Sequence, residues 1–334
     1  MADELELLRR ANPVTSDAPY FGDGPLDHDA ERRLNELLRT RRTCWSPGRT
    51  KLWPRRPRLV WTLATAAVVA VTALALLLAG PSTTPAVAAP RPLTPLAGST
   101  PVPLERLAER AGAAAADGSP RLRQGTHVQS WSLSMTEGPD AERPVTLPEE
   151  RIVRWHADDS RTELVVATDP RHPGKPVITD PGGDPRTVED GHVLSRQTYP
   201  PSWSDAPPQA RPPHDAKRLY AYLEELDGLS VMDTSQLLDA TRELLDNWTP
   251  GARESAALAR ILADAKGLDP VGEVTDRLGR RGQAYTYQQT GSRRMLILDP
   301  ATGAVLGLET TFTEDQPEYA VKAGDVMEYS AWMR

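Results

Sequence analysis

One short stretch places titratable groups close enough to work together: His156, Asp158 and Asp159, in the run RWHADDS. An imidazole beside two carboxylates can hold a metal ion or relay a proton. The same residues also spell a turn, and the end of a hairpin is the plainer reading. The other histidines beyond residue 80 (His127, His172, His192 and His214) are scattered. The chain carries no G-x-S-x-G, no H-E-x-x-H, no phosphate-binding loop and no Cys/His metal spacing. With no nucleophile, base and oxyanion donors converging, neither an enzyme nor a metal or other cofactor is expected. Glu224, Glu225 and Asp227 read as a solvated helix end. Trp131 and Trp155 fall on predicted strands, where each either packs in the core or lines a ligand cleft. Cys44, the only cysteine, has no partner for a disulfide or a metal site and is read as passive.

The elements that would hold these residues follow from periodicity. Thr126–Met135 alternates, with Val128, Ser130, Ser132 and Ser134 on one face and Trp131, Leu133 and Met135 on the other. Arg151–His156 and Arg161–Thr168 continue the pattern and form a hairpin through Asp158-Asp159-Ser160. Residues 169–192 read as loop, and the six prolines of Tyr199–Pro213 as an extended surface segment. The period then changes to 3.6. Leu219, Tyr222, Leu223 and Leu226 mark one helix. Leu237, Leu238, Thr241, Leu244, Leu245 and Trp248 mark a second, with Asp233 and Gln236 placed as a capping box. A third starts at Thr249-Pro250, carries Leu258, Ile261, Leu262 and Ala265 inward, and stops at Gly267. Strands return at 271–278, 283–289, 293–298, 304–312 and 320–332, with Asp299-Pro300-Ala301-Thr302-Gly303 as a turn. The expected fold is α+β: an antiparallel, half-barrel-like sheet with about three helices packed on one face.

Residues 59–79, LVWTLATAAVVAVTALALLLA, separate this domain from the amino terminus. Twenty-one uncharged positions from Leu59 through Trp61, Val68 and Leu74 to Ala79 reach roughly 31 Å as a helix, the thickness of a bilayer core. Eight Lys and Arg and no acid lie between positions 39 and 58, and the next cation after the span is Arg91. The positive-inside rule therefore places residues 1–58 in the cytoplasm and the rest outside the cell membrane. The basic cluster also fits nucleic-acid binding, but topology already accounts for it. Ala86-Val87-Ala88 resembles a cleavage site, yet the arm before the span exceeds a signal peptide's n-region, so an uncleaved anchor is expected. The arm holds 12 Lys and Arg against 9 Asp and Glu; the part beyond the span holds the other 27 of 39 bases and 37 of 46 acids. Such an acidic outer part speaks against binding nucleic acid. Residues 80–120, rich in Pro and Ala, read as a stalk, and 121–334 as the folded domain. In the arm, Ala30, Leu34, Leu37 and Leu38 line one face of a helix over 27–42, which is either a docking face for a partner or a helix that frays in water.

ELELLRRANP at the amino terminus, the arginine-flanked span, ALARILADAKGL leading into a strand and LILDPATGAVLG together resemble a family of actinobacterial single-pass membrane proteins. That family is often encoded beside extracytoplasmic-function sigma factors. The resemblance implies placement in the membrane and a regulatory setting, with a sigma factor as a partner of the arm. It supplies no catalytic residues, and LDPATG is a turn. The layout also looks like that of envelope-stress regulators with a lipoprotein-carrier-like half-barrel outside. Two functions follow as expectations: an external binding or sensing domain acting through protein partners, or a passive envelope module that holds a lipid or acyl chain.

Overall fold

The computed structural model describes residues 90–138, 141–201, 210–228 and 231–334. The span and the arm lie outside these, together with Leu34, Leu37, Leu38 and Cys44. No helix among the described residues is long and apolar enough to cross a membrane.

In chain order the elements are α1 (Leu104–Ala114), β1 (Arg123–Gln124), β2 (Thr126–Ser134), β3 (Val145–Trp155), β4 (Arg161–Ala167), β5 (Val177–Thr179), β6 (Arg186–Val188) and β7 (His192–Tyr199). They continue with α2 (Ala216–Asp227), α3 (Thr234–Asn247), β8 (Trp248–Thr249), α4 (Ala252–Ala263), β9 (Leu268–Thr275), β10 (Arg281–Gln289), β11 (Ser292–Leu298), β12 (Val305–Phe312) and β13 (Val326–Trp332). Nine strands form one antiparallel sheet in the order β7-β4-β3-β2-β13-β12-β11-β10-β9. The domain is thus α+β, with four helices among the described residues rather than about three.

Alternation along the strands builds two cores, one on each face of the sheet. Leu296 and Leu298 of β11 and Leu308 of β12 join all four helices, Val128 and Trp332 in the larger core. Met295 and Ile297, their neighbours in sequence, point the other way and pack with Trp131, Tyr329 and Val326. Every residue of β12 is buried, as a strand covered on both faces must be. The helix-side core draws on β2, β13, β12, β11, β10 and β9, and none of its residues comes from β3, β4 or β7. Those three strands lie outside this core, although Arg151 of β3 bonds to the end of α3.

The hairpin β3–β4 forms as expected, with Trp155 opposite Arg161 and Asp159 at a positive φ of 61° in its turn. So does the capping box of α3: the Asp233 side chain accepts from Gln236 N while the Gln236 side chain accepts from Asp233 N. Three expectations need correction. Residues 90–120 are part of the domain and not a stalk. Leu104, Leu107, Ala108 and Ala111 of α1 are buried in the helix-side core. Ahead of α1, Leu96 N donates to Glu273 O (2.7 Å) and Ser99 Oγ accepts from Glu273 N (3.1 Å), so this segment closes the free edge of β9. Second, α4 is not capped by Thr249. That residue pairs with Arg123 in the β1–β8 ladder and its hydroxyl donates to Gly125 O, so the helix begins after Gly251 without a side-chain cap. Third, residues 169–192 contain the small hairpin β5–β6, and β7 follows it on the sheet edge.

Candidate functional site

Three helix ends and one strand enclose an open groove of about 770 Å³. Helix α2 contributes Lys217 and Tyr220, α3 contributes Leu237 beside its N-cap, and α4 contributes Arg260 and Ile261. Tyr287 of β10 completes the wall. Met232, Leu237 and Ile261 are buried side chains of the helix-side core whose surfaces also line the groove, giving it an apolar floor. The rim is charged. Lys217, Arg260 and Lys266 are exposed there, with Asp233 and Asp264 as the acids. Asp233 is occupied in capping α3, and Thr234 Oγ1 donates to Lys266 O (2.7 Å), which ties the α4–β9 turn to the start of α3. Val231, next to Met232, is 77% exposed, an unusual position for a large aliphatic side chain. An apolar floor with few polar groups at the mouth is the usual make-up of a small-molecule site.

A second hollow, about 380 Å³ and polar, lies where the end of α3 faces strands β2, β3, β4 and β13. Glu149, Arg151 and Asp246 meet there. Arg151 Nη1 donates to Asp246 O (2.8 Å) and its Nε to Glu163 (2.7 Å), while Trp332 Nε1 donates to Asp246 Oδ1 (3.0 Å). Burial pushes the Asp246 carboxyl up to about 6, against the pull of the Trp332 indole and of Arg151 and Arg242. Burial also raises Glu149.

The residues singled out from the sequence separate. Trp131 lines no cleft: it is 1% exposed and packs on Tyr329 with ring centroids 5.6 Å apart, with the Arg171 guanidinium 5.0 Å from its ring. Trp155 does line a pocket, at the end of the sheet. His156 is exposed, and its Nε2 lies 3.3 Å from Thr162 Oγ1. Asp158 Oδ1 accepts from both Ser160 N and Ser160 Oγ, and those two bonds hold its carboxyl below the usual range. These residues build a turn. Among the described residues no three His, Cys, Asp or Glu side chains are grouped as a metal site.

Sequence reasoning missed the groove. Its parts stand near positions 217, 233, 261 and 287, and only the packing of three helices brings them together. The one local signal was Val231-Met232, two apolar residues placed ahead of a helix cap. No protein-family model matches the chain, and no curated protein matches its sequence.

Proposed function

We propose that this chain is a single-pass cell-membrane protein whose external domain binds an apolar chain in the groove between α2, α3 and α4. In this reading residues 59–79 span the membrane, the basic arm stays in the cytoplasm, and the arm around Leu34, Leu37 and Leu38 docks a protein partner such as a sigma factor. The domain is then a sensor, and occupancy of the groove is its input. A passive lipid-holding module is the second reading, and the same groove would serve it. The half-barrel belongs to this proposal too, as a curvature of the nine-stranded antiparallel sheet.

The observation that carries the reading is the groove's composition, with buried Met232, Leu237 and Ile261 below and Lys217, Arg260 and Lys266 above. Water held over such a floor is released when an aliphatic chain covers it, at about 25 cal/mol per Å² of apolar surface. Cells expressing the full-length protein are to be fed a diazirine-bearing fatty acid, illuminated, and the labelled peptides mapped by mass spectrometry. The label is expected on residues 216–220, 232–237 and 260–266. Leu237→Trp, which fills the floor, is expected to remove it, and Lys266→Glu to weaken it while leaving the fold intact. Label confined to residues 59–79, or unchanged by both substitutions, would exclude the groove as the site.

A further inference from the structure

A pocket of about 420 Å³ opens at the end of the sheet where β1, the start of β2, the end of β3 and the carboxy-terminal residues meet. Arg123, Arg154 and Arg334 line it with His127, and no Asp or Glu does. Chance does not favour this arrangement in the part beyond the span, where 37 acids outnumber 27 bases. The three arginines come from three different places in the chain. Arg123 is set by the two-residue ladder β1–β8, where it pairs with Thr249. Arg154 sits on β3 opposite Thr162. Arg334 Nη2 donates to Ser255 Oγ (2.8 Å), which ties it to α4. Burial lowers the Arg334 pKa; Asp299 opposes this, while the like charges of Arg280 and Arg123 add to it. Arg123 and Arg334 repel each other, Asp299 offsets part of this at Arg334, and an anion in the pocket would offset more.

A second observation points the same way. Trp155 lines the same pocket, and its indole N–H is buried without a hydrogen-bond partner. A buried donor left unpaired costs free energy that an arriving acceptor restores. A carboxylate offers two oxygens. Guanidinium forks together with an indole N–H suit a phosphoryl group better, since its three terminal oxygens accept from several directions at once. The volume exceeds that of a bare phosphate ion and leaves room for the organic part of an ester beside Trp155.

We propose that the pocket formed by Arg123, Arg154, Arg334 and Trp155 is a binding site for a phosphate monoester or a phospholipid headgroup. It stands apart from the groove, so either site can fail without the other.

The test uses the full-length protein in maltoside micelles at low ionic strength, titrated calorimetrically with glycerol 3-phosphate and, separately, with glycerol. Saturable binding of the phosphate ester alone is expected. The double variant Arg123→Gln/Arg154→Gln removes two exposed side chains from strand positions held by backbone pairing, so the fold should persist, as circular dichroism can verify. It is expected to weaken binding at least tenfold. Trp155→Phe keeps the ring, removes the N–H and should weaken binding several-fold. A parallel measurement with the protein in nanodiscs, with and without phosphatidylglycerol, separates the two sources. An arginine-dependent response to the anionic lipid alone would assign the site to a headgroup. No binding of either probe, or binding unchanged in the double variant, overturns the proposal.

Discussion

Asp246 sits in the last turn of α3, where the helix dipole disfavours negative charge and where the turn itself carries no basic residue. It is also buried, and its carboxyl titrates near 6 instead of 3.8. Because the folded protein binds this proton more tightly than the unfolded chain does, Asp246 favours folding below about pH 4, and that contribution fades as the pH rises through about 6. Above that, the ionised group costs roughly 3 kcal/mol at 1.36 kcal/mol per pKa unit. Asp246→Asn keeps an oxygen for the Trp332 indole and discards the charge. It should therefore raise the thermal midpoint at pH 7.5 and leave it nearly unchanged at pH 4. A variant equally stabilised at both pH values would show that charge is not what Asp246 costs. Buried charge elsewhere is handled differently. Arg277 and Glu309 are both almost fully buried on the outer face and form an ion pair. Burial pushes Glu309 up while Arg277 pulls it back, and Glu309 also accepts from Leu93 N (2.8 Å). Arg277 donates in turn to Arg91 O (3.0 Å), so one ion pair bolts down the segment that leads into the domain.

The LDPATG turn shows what an element asks of single residues. Asp299 Oδ1 accepts from Ala301 N, Thr302 N and the Thr302 hydroxyl, which closes the turn between β11 and β12. Gly303 then takes a φ of 68°, and a Cβ there would lie 2.7 Å from the Ala111 Cβ and 3.2 Å from that of Ala259. The turn is thus wedged under α1 and α4, so its glycine serves both backbone and packing. Gly303→Ala should cost about 2–4 kcal/mol, seen as a lower urea midpoint with an unchanged slope. A loss under 1 kcal/mol would mean that α1 yields easily. This turn was legible because its signal is local, and so was the capping box of α3. Helix α1 was not, although Leu104, Leu107, Leu107's neighbour Ala108 and Ala111 have helical spacing. Pro103 precedes it with no side-chain cap, and the prolines upstream suggested a stalk. The start of α4 was misread because the β1–β8 ladder claims Thr249, a tertiary contact no local pattern encodes. Of the two candidate sites only Trp155 showed in the sequence, and the rest stayed hidden for one reason. Their other residues come from elements that meet only after folding, and taken singly they read as ordinary surface cations or core side chains.

At the scale of the whole molecule, everything proposed about signalling depends on which side of the membrane the arm occupies. The expectation rests on eight basic residues between positions 39 and 58 and on none between 59 and 90. Cys44, the only thiol in the chain, lies among them and serves as a natural reporter. In intact cells a membrane-impermeant maleimide should leave it unlabelled, and labelling should appear once the membrane is permeabilised. The converse probe is Lys175→Cys in a Cys44→Ser background, at an exposed loop position of the domain. It should label without permeabilisation. Labelling of Cys44 in intact cells would invert the orientation and remove the arm from any cytoplasmic partner. A labelled domain released from the membrane fraction would instead show cleavage near Ala88, and the groove and the arginine pocket would then belong to a secreted protein. Only the uncleaved arrangement, arm inside and domain outside, lets a ligand bound by the domain reach a partner on Leu37 and Leu38. Leu37→Ser/Leu38→Ser should then abolish that partner's retention without altering labelling at either cysteine.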